Sequence, residues 1–141
     1  VDVDKPKKAF SDALAIVVAY VPTEIIAIYT LMIATLGDSG TAAAPLPIWT
    51  FWSFLVATPL FVWLVYAVHC VEGKKPIPWS WSELPWWEAI SAMIAFTAWS
   101  ATLPRSPFRV YEGYDSGGAS IALIVVSVVL PLVGTLVTRK Q

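Results

Sequence analysis

Glu24 is the residue whose type and position say most about the chemistry open to this chain. It follows Pro22 and Thr23 inside an apolar stretch that extends over residues 13–36. A carboxylate deep in a hydrocarbon layer costs about 2.5 kcal/mol or more on insertion scales, and such residues commonly mark functional positions. The sequence therefore makes Glu24, together with Tyr20 and Thr23, the candidate for a buried polar or pore-lining position.

Four roles are open to Glu24. It can be protonated and hydrogen-bonded within a helix bundle. It can instead pair with a hydroxyl at similar depth on another helix, and the candidates are Thr58, Ser91 and Ser127. It can line a water-filled path in an oligomer, where a ring of carboxylates attracts cations, or it can relay protons. The first two roles are structural and the last two are functional.

The other residues of catalytic type form no recognisable pattern. His69 and Cys70 are adjacent, so on a helix their side chains point about 100° apart, and the chain has a single histidine. Glu83 and Glu88 lie roughly 140° apart around a helix, which does not favour one active-site pair. No hydrolase, zinc-protease, phosphate-binding or dinucleotide-binding motif occurs. The sequence predicts no enzyme, no metal site and no cofactor.

Four apolar stretches would position these residues, and each is about long enough to cross a bilayer. A helix needs about 20 apolar residues to cross the hydrocarbon core. Charged residues make up only 13% of the chain and the mean hydropathy is +0.69, whereas an average soluble domain has about 25% charged residues. The sequence predicts an all-α integral membrane protein with one domain, residues 1–141. Its four transmembrane helices are expected at about 13–36, 48–71, 84–103 and 119–138.

Prolines and polar residues predict the shape and packing of these helices. Because an internal proline removes a backbone hydrogen bond, kinks are expected at Pro22, Pro59 and Pro131. One side of the first helix collects its polar groups and is expected to face protein. That side consists of Ala13, Val17, Tyr20, Glu24, Ala27, Ile28, Leu31 and Thr35.

Small side chains indicate where the helices pack against one another. Ser91 and Ala95 are four residues apart in the third stretch. In the fourth stretch small residues recur every seven positions, at Ser120, Ser127 and Gly134. Small residues let membrane helices approach closely, and a seven-residue spacing suits a left-handed seam. We expect these five residues to lie at helix contacts.

Basic residues predict the orientation. Seven of the nine fall on one side of a four-span protein: Lys5, Lys7, Lys8, Lys74, Lys75, Arg139 and Lys140. Arg105 and Arg109 fall on the other. The positive-inside rule then places both termini in the cytoplasm. We expect a multi-pass protein of a bacterial plasma membrane (the cell inner membrane). The net charge of −1 gives no indication of nucleic-acid binding.

Tryptophan residues mark the expected membrane interfaces, where the ring points inward and the N–H outward. The predicted anchors lie near the helix ends: Trp49, Trp52, Trp79, Trp81, Trp86 and Trp87. A tryptophan cluster can also form a stacking platform for a ligand. The positions of these residues favour anchoring.

The sequence predicts function at the level of a protein class. A four-helix bundle has little interior volume for a substrate path. We therefore expect a non-catalytic membrane subunit in the lipid bilayer, which assembles with copies of itself or with other membrane subunits. The alternative is an ion-conducting homo-oligomeric channel with Glu24 near the pathway. A small transporter ranks third, because transporters often contain an internal repeat and none is evident here.

Overall fold

The computed structural model describes residues 20–37, 45–77 and 79–138. This part of the chain contains four α-helices and no strand, which confirms the prediction of an all-α protein for these residues. The helices are α1 (Thr23–Gly37), α2 (Ile48–Glu72), α3 (Trp86–Ala101) and α4 (Ser116–Thr138). Two short 3-10 helices, Trp81–Glu83 and Pro107–Val110, lie in the connections.

Two of these helices are long and apolar enough to cross a membrane. The apolar segments are 25 residues in α2 and 22 residues in α4. At 1.5 Å per residue they measure about 38 and 33 Å, against a hydrocarbon core of about 30 Å. With 15 and 16 residues, α1 and α3 are shorter. They measure about 22 and 24 Å by the same rise per residue.

The chain does not continue as one helix across Pro22, so the prediction of a single helix over 13–36 is wrong at that point. Val21 forms a bend, Pro22 is not helical, and α1 begins at Thr23. Pro22 has no N–H to donate, and its ring disfavours helical backbone in the preceding residue. Glu24 therefore lies in the first turn of α1 and not in the middle of a helix. Residues 13–19 of the predicted helix lie outside the described residues.

The prolines of the second and fourth stretches are accommodated differently. Pro59 lies inside α2 and Pro131 inside α4, and both helices continue through them. A proline inside a helix removes one backbone bond and is tolerated where neighbouring turns and helices hold the chain.

The helices run alternately up and down, so the bundle has two distinct ends. At the end we call open, α1 and α3 begin and α2 finishes, and residues of all three line one cavity. At the end we call closed, α1 and α3 finish and α2 begins. There the Leu46 N–H donates to the Arg105 carbonyl at 3.2 Å, and Arg105 Nη1 donates to the Ile33 carbonyl at 3.3 Å. The same alternation places the start of α4 at the closed end.

Helix α3 is the centre of the bundle, because it packs against both α2 and α4. Small side chains supply much of its buried surface, which lets the longer helices approach closely. Its buried residues are Ser91, Ala92, Ala95, Phe96, Ala98, Trp99 and Ser100.

Helix α1 packs by the side opposite to the one expected from the sequence. Ile25 and Tyr29 are fully buried, whereas the side that includes Glu24 is exposed. The Tyr29 ring meets the rings of Phe54, Phe96 and Trp99 at centroid distances of 5.0, 5.4 and 5.7 Å. Such edge-to-face contacts add about 0.5–1.5 kcal/mol each beyond the buried area. This aromatic packing sets the orientation of α1, and the carboxylate is left facing outward.

Candidate functional site

The open end contains a cavity of about 410 Å³ in which α1, α2 and α3 bring titratable side chains together. Its volume falls within the range of about 300–1,000 Å³ that is usual for small-ligand sites. The lining combines polar and apolar residues: Pro22, Thr23, Glu24, Val62, Val65, Tyr66, His69, Pro85 and Glu88.

The two carboxylates of this cavity share a structural context. Glu24 and Glu88 each lie in the first turn of a helix that follows directly after a proline. The carbonyls of those prolines accept the first helical hydrogen bonds, from Ile26 to Pro22 at 3.3 Å and from Ala89 to Pro85 at 2.9 Å. The unpaired N–H groups and the dipole at a helix N-terminus favour negative charge. Because α1 and α3 start at the same end, both carboxylates lie there.

His69 lies in the last turn of α2, at the same end of the bundle. Its Nδ1 is 2.8 Å from the Val65 carbonyl oxygen. Since a carbonyl only accepts, Nδ1 carries the proton, and in the neutral ring Nε2 keeps its lone pair. The His69 imidazole therefore lies at the C-terminal end of α2, at the end of the bundle where α1 and α3 begin.

The remaining walls are apolar. They consist of Val62 and Val65 on α2 and the two prolines that precede α1 and α3, and Tyr66 adds an aromatic ring. In the part of the chain that the structure describes, no three His, Cys, Asp or Glu side chains are grouped so that they could hold a metal ion. The arrangement places two carboxylates and an imidazole beside an apolar surface, and these groups can accept and donate protons.

The structure separates the polar residues that the sequence grouped together. Thr23 and Glu24 are exposed and line this cavity, whereas half-buried Tyr20 lines a second cavity of about 390 Å³ between α3 and α4. The three hydroxyls considered as partners for Glu24 donate to carbonyls of their own helices. The bonds are Thr58 to Phe54 at 2.8 Å, Ser91 to Glu88 at 3.0 Å and Ser127 to Ile124 at 2.7 Å. Their protons are therefore not available to Glu24.

The residues expected at helix contacts differ in burial. Ser91, Ala95 and Ser127 are buried, and Ser120 and Gly134 are half-buried. A Cβ atom placed on Gly134 would lie 3.5 Å from Nε1 of Trp87. The Trp87 ring thus packs over the backbone of α4.

The tryptophans expected as interface anchors occupy both ends of the bundle. Trp49 and Trp52 are exposed near the start of α2, and Trp79 and Trp86 are exposed near the start of α3. The half-buried Trp87 packs against Gly134 of α4. The side chain of Trp81 lies outside the described residues.

Sequence reasoning missed the combination of Glu24, His69 and Glu88, which are far apart along the chain. The sequence signal that could have identified this combination is the alternating direction of successive helices. In an up-and-down bundle, the start of the first helix, the end of the second and the start of the third share one end. Each carboxylate also follows a proline by two or three residues, a spacing that marks the first turn of a helix.

Comparison with known proteins identifies no relationship. No protein-family model, curated protein or solved structure matches this chain.

Proposed function

We propose that the protein is a non-catalytic integral membrane subunit. It crosses a bacterial plasma membrane four times with both termini in the cytoplasm, and it assembles with copies of itself or with other membrane subunits. The observation that carries this proposal is the exposure of large apolar side chains along α2 and α4. Examples are Val56, Leu60 and Val68 on α2 and Ile121, Val128 and Leu132 on α4. Acyl chains or the helices of a partner would cover such faces.

The short helix α3 is compatible with a span. Backbone that is not helical is tolerated at membrane depth where protein covers it. α3 packs between α2 and α4 and also contacts α1 through its aromatic residues. Its flanking turns can therefore complete the crossing within the bundle.

The cytoplasmic placement of the open end is supported by the basic residues of the two termini in the sequence, which lie outside the described residues. Among the described residues the basic side chains divide equally: Lys74 and Lys75 are exposed at the open end, next to the end of α2, and Arg105 and Arg109 lie at the closed end. At the closed end, Arg105 is half-buried and its guanidinium bonds to a carbonyl in the C-terminal half of α1. A cation at that position complements the helix dipole, so Arg105 has a structural use beyond its effect on topology.

The topology is tested by cysteine labelling. Cys70 is first replaced by serine, and single cysteines are then placed at Lys75 and at Glu112, which are both exposed. With a membrane-impermeant maleimide, intact cells should be labelled at position 112 only, and position 75 should react after permeabilisation. Labelling of both positions from the same side would contradict the four-span arrangement.

Assembly is tested by native mass spectrometry of the protein released from mild detergent. We expect a multiple of the 15.4 kDa chain mass, or a stoichiometric complex with another membrane protein. A single chain without any partner, found in several detergents and in nanodiscs, would contradict this part of the proposal.

An ion-conducting homo-oligomer is the second candidate, and the shared cavity of Glu24 and Glu88 favours it. Because Glu24 is in the first turn of α1, its carboxylate would lie at the mouth of a pathway and not at its midpoint. In liposomes, Glu24→Gln would then lower selectivity for cations over anions, since a fixed negative charge is removed. Liposomes that hold the assembled protein and show no ion flux would exclude this candidate.

A further inference from the structure

The net charge of the described residues that line the open-end cavity is negative. Glu24 and Glu88 contribute two carboxylates from different helices, and no lysine or arginine is among the described residues that line the cavity. With the His69 imidazole neutral the lining carries two negative charges, and with the imidazole protonated it carries a net charge of −1. A cation is therefore favoured in either state. Attraction between charges is stronger in a partly enclosed, apolar setting than in bulk water.

The apolar residues that line the rest of the cavity favour a ligand that also has an apolar part. Val62, Val65 and two prolines present apolar surface, which a small hydrated metal ion would leave in contact with water. A ligand with an apolar body would cover that surface and gain from its burial. Tyr66 adds a ring whose face attracts cations. The volume of about 410 Å³ also suits a compact organic molecule better than a bare ion.

We propose that this cavity binds organic cations in which an ammonium- or phosphonium-type charge is attached to an apolar body. Glu24 and Glu88 neutralise the charge, and the valines and prolines contact the body. This ligand site goes beyond the role of a membrane subunit. Either proposal can fail without the other, because assembly is measured by mass and the site by binding.

The test uses the whole protein in lipid nanodiscs at one fixed pH. Binding of radiolabelled tetraphenylphosphonium is measured against tetraphenylborate, which has nearly the same shape and the opposite charge. Empty nanodiscs correct for partition into lipid. We expect saturable binding of the phosphonium and none of the borate. Glu24→Gln and Glu88→Gln should each weaken binding about two- to fivefold, as solvent-exposed charge pairs do, and the double variant should weaken it further.

Two further variants make the result specific. Glu112→Gln removes an exposed carboxylate at the closed end, so it changes the net charge equally and should leave the affinity unchanged. Val65→Trp should abolish binding by filling the cavity while leaving every charge in place. Circular dichroism and gel filtration show which variants are folded, and the two glutamine variants decide the outcome if the tryptophan variant is not. Equal binding of phosphonium and borate, or parental affinity in a folded Glu24→Gln/Glu88→Gln double variant, would overturn the proposal.

Discussion

The closed end and the open end of the bundle are held together in different ways. At the closed end, hydrogen bonds join separate elements: Leu46 to Arg105, Arg105 to Ile33, and the Tyr114 hydroxyl to the Ala101 carbonyl at 2.6 Å. At the open end, the turn after α2 is closed by local bonds, such as Gly73 to His69 at 2.9 Å.

Aromatic packing follows the same division. The Phe51 ring lies 4.7 Å from that of Phe108 and 5.9 Å from that of Phe96, centroid to centroid, towards the closed end. At the open end the Trp63 and Trp79 rings lie 5.7 Å apart and Trp87 packs over Gly134, while a cavity lies between α1, α2 and α3. The closed end therefore fixes the arrangement of the helices, whereas the open end leaves a cavity that is lined by charged and titratable side chains.

The largest expected effect concerns a pair of aromatic residues, one at each end. Phe108→Ala removes a half-buried ring in contact with Phe51 and should lower the free energy of unfolding by about 2 kcal/mol, below the range for fully buried phenylalanines. Trp79→Ala removes an exposed ring whose ring contact is with Trp63, and should lower the free energy of unfolding by about 1 kcal/mol or less. Thermal unfolding of both variants in one detergent checks this, and an equal loss of Tm would remove the distinction between the two ends.

The next effect tests how tightly α3 and α4 meet at the open end. Gly134→Leu should destabilise the protein by about 1–3 kcal/mol, because the added side chain meets the Trp87 ring. Gly134→Ala places only a methyl group there, at an ordinary contact distance of 3.5 Å, and its better helix propensity should make it neutral or stabilising. Val133→Leu is the control for bulk at the neighbouring position and should have little effect. A stable Gly134→Leu variant would show that this contact yields easily.

Hydropathy and proline chemistry account for what the sequence predicted and for where it failed. The second and fourth apolar stretches, expected at 48–71 and 119–138, correspond to α2 at Ile48–Glu72 and α4 at Ser116–Thr138. A long apolar run bounded by polar residues is typical of a long helix, and few other structures fit such a pattern. The sequence predicts a kink at each of Pro22, Pro59 and Pro131, because each removes a backbone hydrogen bond inside an apolar stretch, whereas the structure interrupts the helix only at Pro22 among these three. Local sequence does not distinguish a proline inside a helix from one that begins it.

The face of α1 and the open-end cavity could not be predicted, for a related reason. When nearly every side chain of a helix is apolar, polarity gives little information about which side packs inward. Shape then decides, as it does for Tyr29 among three aromatic rings. The cavity depends on the relative directions of three helices, and no local pattern encodes those directions.

Two acidic residues near helix starts allow a finer test of the comparison. At the closed end, Asp115 Oδ2 accepts a hydrogen bond from the Gly118 N–H at 2.8 Å and so caps α4. Asp115→Ala should therefore cost about 1 kcal/mol of stability. At the open end, Glu24 is exposed, and Glu24→Gln should cost less than about 0.5 kcal/mol, the size of a surface helix-dipole effect. Chemical denaturation of both variants measures this. If Glu24→Gln were the more damaging, Glu24 would have a structural partner after all.

The smallest effect concerns two turns that both need left-handed backbone. The closed end places Gly113 at φ 91°, where a glycine fits without strain, but the open end places Lys74 at φ 54°. Left-handed backbone costs a residue other than glycine about 1–2 kcal/mol. Lys74→Gly removes that strain. It also lowers the stability by about 0.5–1 kcal/mol, because glycine increases the conformational entropy of the unfolded chain. The net gain should be about 0.5 kcal/mol, visible as a small rise in Tm. Lys75→Gly is the matched control, because it removes the same charge one position later without relieving strain, and it should not raise Tm. A Lys74→Gly variant that is less stable than the parent would show that the lysine side chain itself stabilises the open end.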